Sequence, residues 1–357
     1  MSLLCHFGPG ADFDVAIGDS LSVDRFEGSV TNMAIADIGF TLCSQRLLFA
    51  GRSVLLNTNS AKIARYAADF FPQIETAECA SPESRARITV HVRESDDLCE
   101  SAPWFRARGH FAFASFTLAD AFWFNLRTRE VYGLCTPQLA DDSWRWYAHI
   151  FPALLGILSA VIGVAPVHAA CVVRCGYGTL LTGPSGTGKS TLTIALAKRG
   201  YELLSDEWTY LCANESAVVA WGLPVPVKLL PDTVRFFPEV MEYSPTQSLN
   251  GETAYEVFPE ECFGVSRRLH CSVKAIVVLE RAVERGCEIV PISASQAIDH
   301  LSRDVEPLEG TLSCFYERQL RLIAQLGHVE SLRVSFNDSP DSVARALDTA
   351  LAVMEWR

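Results

Sequence analysis

The eight residues Gly183-Pro184-Ser185-Gly186-Thr187-Gly188-Lys189-Ser190 fit the pattern G-x-x-x-x-G-K-[ST] and constrain this chain more than any other feature in it. Glycines free of side-chain bulk let a tight turn aim successive backbone N–H groups at phosphate oxygens. The lysine adds a mobile positive charge, and the closing hydroxyl can ligate Mg²⁺. Such a loop needs a strand entering it and a helix leaving it. Thr179–Thr182 reads as the strand and Ser190–Arg199 as the helix, with Leu192, Ile194, Ala195 and Leu196 apolar and Gly200 just past the end. The expected occupant is ATP with Mg²⁺, cradled by residues 183–190 and by Thr191; the alternative is a glycine-rich surface turn with no ligand.

A chain of 357 residues, 49% of them apolar, is long enough for two domains with substantial cores. Its net charge of −12 argues against a nucleic-acid partner, because phosphate backbones are held mainly by surplus Lys and Arg. ATP needs only a local positive pocket. The 12 cysteines include no C-x-x-C pair, and Met1–Gly10 lacks the basic and apolar regions of a signal peptide, which together suit a reduced, cytoplasmic protein. His168, Cys171 and Cys175 lack a fourth ligand and the usual zinc spacing. Residues 150–173 contain no Asp, Glu, Lys or Arg, yet Pro152 suits a first helical turn and Gly163 and Pro166 end the helix. The apolar segment between is shorter than the ~20 residues that span a bilayer, so a buried helix running into a buried strand is expected rather than membrane insertion.

Residues 1–135 read as a β-rich domain. Ile88, Val90 and Val92 alternate within Arg87–Arg93, as do Phe111 and Phe113. The aromatic set Trp104, Phe105, Phe111, Phe113, Phe116, Phe122, Trp123 and Phe124 is expected to be sheet core rather than a stacking platform for bases, since few basic residues are interleaved with it. Segments 72–85 and 95–103 read as exposed loops. Residues 136–357 carry longer elements. A helix from about Asp142 restarts at Pro152, and strands follow at 168–174, 201–205, 208–212, 217–221, 273–279 and 333–336. Further helices are expected near 295–302 and 312–326, and a closing helix is capped by Ser339 with Pro340 at its first position. The expected class is α/β, or α+β overall.

Leu203-Leu204-Ser205-Asp206-Glu207 sets two acids at the carboxyl end of a short buried strand, where ligands of α/β sheets bind. Asp206 follows Lys189 by 17 residues, enough for one helix and one turn to return to the phosphates. One carboxylate can hold Mg²⁺ while the other accepts a proton from an attacking hydroxyl, or Asp206 can be a metal ligand with no proton role. His168 heads the strand beside the loop strand, where it could tune an acidic partner or be a satisfied core histidine.

Val167-His168-Ala169-Ala170-Cys171-Val172-Val173, the Gly176-Tyr177-Gly178 turn, Ser185 in the loop, and Gly200 through Glu207 together resemble the HPr kinase/phosphorylase family, over about residues 165–210. The resemblance implies a P-loop kinase core related to phosphoenolpyruvate carboxykinase, acting on a serine hydroxyl of a protein. It implies that Lys189 contacts the β- and γ-phosphates, Ser190 helps hold Mg²⁺, and Ser185 touches the phosphoryl region. Asp206 would be the catalytic base, Glu207 would assist with metal, and His168 would interact with Asp206. The run Val218 to Lys228 departs from the Arg- and Gly-containing signature of the bifunctional enzymes. The pattern is more similar to HPr-kinase-related proteins of biosynthetic clusters, some of which phosphorylate lasso-peptide precursors. A peptide or protein with an acceptor serine is therefore the expected partner. A small-molecule hydroxyl kinase and an ATP-binding regulator without transfer are the alternatives. Lys228, Arg267 and Arg268 are further phosphate-contact candidates by charge type, and a homo-oligomer is compatible with the sequence.

Overall fold

A computed structural model describes residues 43–71, 85–94, 103–214, 217–247, 251–308 and 310–354. The loops expected at 72–85 and 95–103 fall almost wholly outside the described residues, as does Met1–Gly10.

Seven strands form the first sheet: β1 (Cys43–Phe49), β2 (Arg52–Thr58), β3 (Arg85–Val92), β4 (Trp104–Arg108), β5 (Phe111–Ser115), β6 (Ala121–Asn125) and β7 (Glu130–Cys135), in the order β1-β2-β3-β7-β6-β5-β4. β2 and β3 run parallel, and between them lies α1 (Ala61–Phe70), a helix absent from the sequence-based expectations. Its buried Ile63, Tyr66, Ala67 and Phe70 recur at helical spacing, and the Ser60 hydroxyl accepts the Ile63 N–H at its start. The aromatic set divides between the two faces of this sheet. Phe105, Phe116, Phe122 and Phe124 are buried, whereas Trp104 is 43% exposed and stacks on the half-buried Phe113 at 5.0 Å. Strand alternation forces the split, because neighbours in sequence point to opposite faces.

Residues 137–162 close the buried face. They form α2 (Pro137–Asp141), α3 (Ser143–Arg145), a π-helical turn at Trp146–Ile150 and α4 (Phe151–Ser159), with Pro152 in the first turn of α4 as expected. Trp146 is fully buried, and its indole N–H donates to the Leu139 carbonyl at 3.0 Å. The same core takes in Tyr210, Cys212, Leu223 and Leu312 from later in the chain. The charge-free stretch is thus interior helix and strand. Among the described residues no helix is long and apolar enough to cross a membrane.

The second sheet is built from β8 (Val164–Val167), β9 (Ala169–Arg174), β10 (Tyr177–Thr182), β11 (Glu202–Ser205), β12 (Thr209–Asn214), β13 (Ala217–Trp221), β17 (His270–Arg281), β18 (Cys287–Pro291) and β19 (Glu330–Phe336). The order β11-β9-β10-β17 continues to β13-β12-β8 at one end of β17 and to β19-β18 at the other. Pro166 lies in β8, which among the described residues pairs with β12 alone, the edge position where a proline without a donor is tolerated. A small sheet, β14 (Val227–Leu229), β15 (Thr246–Gln247) and β16 (Thr253–Val257), and the short helix α6 (Pro259–Phe263) stand beside it.

Helices cover both faces of this second sheet, so that alternate residues of β17 are buried on opposite sides. Ala275, Val277 and Leu279 pack with α5 (Lys189–Ala197) and α9 (Pro340–Val353). Ile276 and Val278 pack with α7 (Ala294–Ser302) and α8 (Ser313–Ala324). The near-continuous apolar run of β17 follows from this two-sided burial. Ser339 caps α9 as expected, its side chain accepting from the Ser342 N–H. β10, β17 and β19 are parallel, so their carboxyl ends open on one edge of the sheet.

Candidate functional site

The loop Gly183–Ser190 leaves the carboxyl end of β10 and enters α5. Gly183, Gly186 and Gly188 have φ values of 154°, 78° and 96°. A Cβ on Gly183 would stand 2.5 Å from the Leu279 carbonyl oxygen, so close packing against β17 needs glycine there. Gly188 is the residue before α5 and supplies no side-chain cap, which leaves N–H groups of the first turn for an external acceptor. Thr187 ties the loop to itself, its hydroxyl donating to the Pro184 carbonyl at 2.8 Å. Pro184, Ser185 and Gly186 are exposed, while Ser190 and Thr191 are half-buried.

Lys189 is 7% exposed, and its ammonium donates to the carbonyls of Gly183 at 2.9 Å and Pro184 at 3.4 Å. Burial lowers its pKa, while the charges of Glu207, Asp304 and Asp206 pull the other way. The lysine therefore spans the loop and feels the charge of three acids from two segments, the Asp206-Glu207 turn and Asp304.

Asp206 follows β11 directly, and several bonds hold it in place. The backbones of Leu203 and of residues 266–268 exchange hydrogen bonds at 2.8 Å, which extends the sheet beside β11. The Thr209 hydroxyl donates to the Ala169 carbonyl at 2.7 Å, so it accepts from Ser205 at 2.6 Å; this pins the acidic turn to β9. The Lys228 N–H donates to Asp206 Oδ2 at 3.1 Å. Burial, and then the charge of Glu207, push the Asp206 carboxyl up to about 7, against the Lys228 N–H and the charge of Arg267. Glu207 is half-buried beside it.

His168 lies between β8 and β9, at the end of β9 that pairs with the carboxyl end of β10. The carboxylate its Nδ1 meets is that of Asp304, at 3.2 Å, where Asp206 had been expected. Its ring stacks on Trp208, 5.3 Å between centroids. The pairing with Asp304 has a topological cause. Asp304 lies just after α7, 136 residues from His168, and reaches it only because α7 packs on the sheet face beneath β9. Burial raises the Asp304 carboxyl, but the hydrogen bond and charge of His168 oppose that, and the net direction is downward. No motif marks Asp304 in the sequence.

Lys228, Arg267 and Arg268 do not present free charge to the loop. Lys228 pairs with Glu252 at 2.6 Å and Arg268 with Glu202 at 3.2 Å. Arg267 pairs with Glu260 and donates to the carbonyls of Leu223 at 3.0 Å and Val225 at 2.9 Å. It thereby braces the segment that carries the Lys228 N–H to Asp206.

Ser190 and Glu207 carry the donor types that Mg²⁺ takes together with phosphate. Among the described residues no cluster of three or more His, Cys, Asp or Glu could hold a metal by itself. The Ser190 hydroxyl makes no hydrogen bond to a described residue, and Glu207 stands among the charges around Lys189. One hydroxyl and one carboxylate, completed by phosphate oxygens and water, is the way Mg²⁺ is commonly held at nucleotide sites.

No family model and no curated protein matches the chain. Part of it is similar to a solved structure described as the Hpr(Ser) kinase/phosphatase from Coxiella burnetii, at 16% identity, over 53% of this chain and 98% of that one, with a TM-score of 0.28. So loose an overlap decides nothing about the chemistry of this chain, which its own residues set.

Proposed function

We propose that the chain is a Mg²⁺- and ATP-dependent phosphotransferase that moves the γ-phosphoryl group to a serine hydroxyl of a peptide or protein. The supporting observation is a buried carboxylate, Asp206, held near neutrality in its proton affinity and placed within the electrostatic reach of the loop lysine. A general base works best with a pKa near the working pH. ATP would supply the phosphoryl group, and Mg²⁺, held by Ser190 and Glu207, would neutralise its charge.

In this reading Asp206 takes the proton of the acceptor hydroxyl as its oxygen bonds to the γ-phosphorus. The bond from that phosphorus to the bridging oxygen breaks, and ADP leaves with the electron pair. Lys189 and the N–H groups at the start of α5 balance the negative charge. Binding alone would not need a buried base beside the loop, which weighs against a purely regulatory ATP binder. A peptide acceptor rests on the sequence resemblance of residues 165–210.

Incubation with γ-labelled ATP and Mg²⁺ tests the reading, with serine peptides and small hydroxyl compounds as acceptors. Label should reach peptide serine. Label on small hydroxyl compounds alone would replace the peptide by a small acceptor, and ATP binding without transfer to any acceptor would sink the enzymatic reading.

In this reading His168 lies near the reacting atoms, and Asp304 acts as a positioning residue for it through their hydrogen bond. Asp304→Asn should lower kcat about tenfold to a hundredfold, with the KM for ATP little changed, because misplacing a group near the reacting atoms costs rate more than binding. Asp304→Glu should recover part of the loss. Equal turnover in all three proteins would show that the pair is only structural.

A further inference from the structure

Arg281, on the β17 side of the loop, and Arg235, within electrostatic reach of it, are left over from the ion pairing of the surrounding surface. Arg281 closes β17, and its guanidinium lies over the Phe336 ring at 4.7 Å. Its Nη2 stands 2.9 Å from the point where a Gly188 Cβ would be, directly against the entry to α5. Arg235 lies over Phe236 at 4.6 Å, and its charge reaches Arg281. Burial, and then that like charge, lower the Arg281 pKa. Both side chains are exposed, and among the described residues neither has a carboxylate partner.

The contrast with neighbouring cations is informative. Lys198, Lys228, Arg267 and Arg268 each have a glutamate, and Arg174 has Asp348. In a chain of net charge −12, two mutually repelling guanidiniums without acids among the described residues, one of them against a glycine loop, favour an anion. The strand order sets which end of a ligand they face. β11 and β9, carrying Asp206 and His168, lie on one side of β10, and β17 lies on the other. In an in-line transfer the acceptor comes from the base and the leaving group departs on the opposite side.

We infer that Arg281, seated on Phe336 and reinforced by Arg235, forms a subsite for the leaving diphosphate end of the nucleotide, contacting the α- and β-phosphates. The inference rests on the proposed nucleotide site and adds residues that no motif assigns. Because these phosphates are present in both nucleotides, the subsite holds ADP and ATP alike, whereas a contact to the γ-phosphate would favour ATP alone.

Calorimetric titration of the full chain with Mg²⁺·ADP and Mg²⁺·ATP tests it, on wild type, Arg281→Ala, Arg281→Lys, Arg235→Ala and Lys189→Ala, each checked for an unchanged thermal melt. Arg281→Ala should weaken both nucleotides about tenfold or more, as expected for loss of a hydrogen bond between charged groups. Arg281→Lys should restore part, and Arg235→Ala should show a smaller loss of the same kind. Wild-type affinity for ADP in a folded Arg281→Ala, with binding lost in Lys189→Ala, overturns the subsite and leaves the nucleotide reading standing. A loss seen only in the KM of the phosphoryl acceptor also overturns it, assigning the arginines to that molecule. A wild-type chain that binds neither nucleotide ends both.

Discussion

Asp206→Asn should lower turnover by about a hundredfold to ten-thousandfold, the usual worth of a general base, while nucleotide binding stays near wild type. The wild-type profile of kcat/KM against pH should rise through about pH 7, where the Asp206 carboxyl ionises, and flatten above it. The asparagine variant should lack that limb. Retention of the limb would assign it to another group and leave Asp206 as a metal ligand.

Stability should move in the opposite sense. The folded carboxyl holds its proton up to about pH 7, whereas an unfolded one releases it near the ordinary aspartate value of 3.8. Between these values the folded state binds more protons than the unfolded state, so wild-type stability falls as pH rises. Above pH 7 the ionised, buried carboxylate costs roughly a few kcal/mol. Asp206→Asn removes that cost and can still accept the Lys228 N–H. Denaturant melts should show the variant more stable than wild type at pH 8, with the difference shrinking toward pH 4. Equal stability at both pH values would mean that Asp206 is not held protonated by its surroundings.

Lys189→Met should reduce phosphoryl transfer by about a thousandfold, comparable to losing a main charge-stabilising donor. The thioether chain preserves the packing of the aliphatic stem, so the fall in melting temperature should be small. Burial already disfavours the ammonium, which offsets part of the loss of its bonds to the Gly183 and Pro184 carbonyls. Lys189→Arg should not rescue transfer, because a planar guanidinium does not fit a position that is 7% exposed and bonded to the Gly183 and Pro184 carbonyls. Normal transfer in the methionine variant would sink the role of the loop itself.

Much of the site was legible because its parts are local. The strand, loop and helix around Gly183–Ser190 follow one another in sequence, and the acidic pair closes the next strand. Helix α1 was legible in principle from Ile63, Tyr66, Ala67 and Phe70, but lies within a region dominated by strand patterns. The aromatic set could not be assigned to faces from composition: Phe122 and Trp123 are adjacent, yet only Phe122 is fully buried. The cationic neighbours were the least legible part. Lys228, Arg267 and Arg268 carry the right charge for phosphate, but whether a cation is free depends on which carboxylate folds against it.

The sequence by itself determined the glycine loop, the lysine within it and the acids one helix and one strand later, since steric freedom and hydrophobic period act over a few residues. Tertiary structure alone decided that Asp304 rather than Asp206 meets the Nδ1 of His168, that Arg267 braces the acidic turn, and that Arg281 stands beside Gly188. The physical reason is that charge pairing acts through space between segments that sheet and helix packing bring together, and the separation of those segments along the chain carries no trace of it.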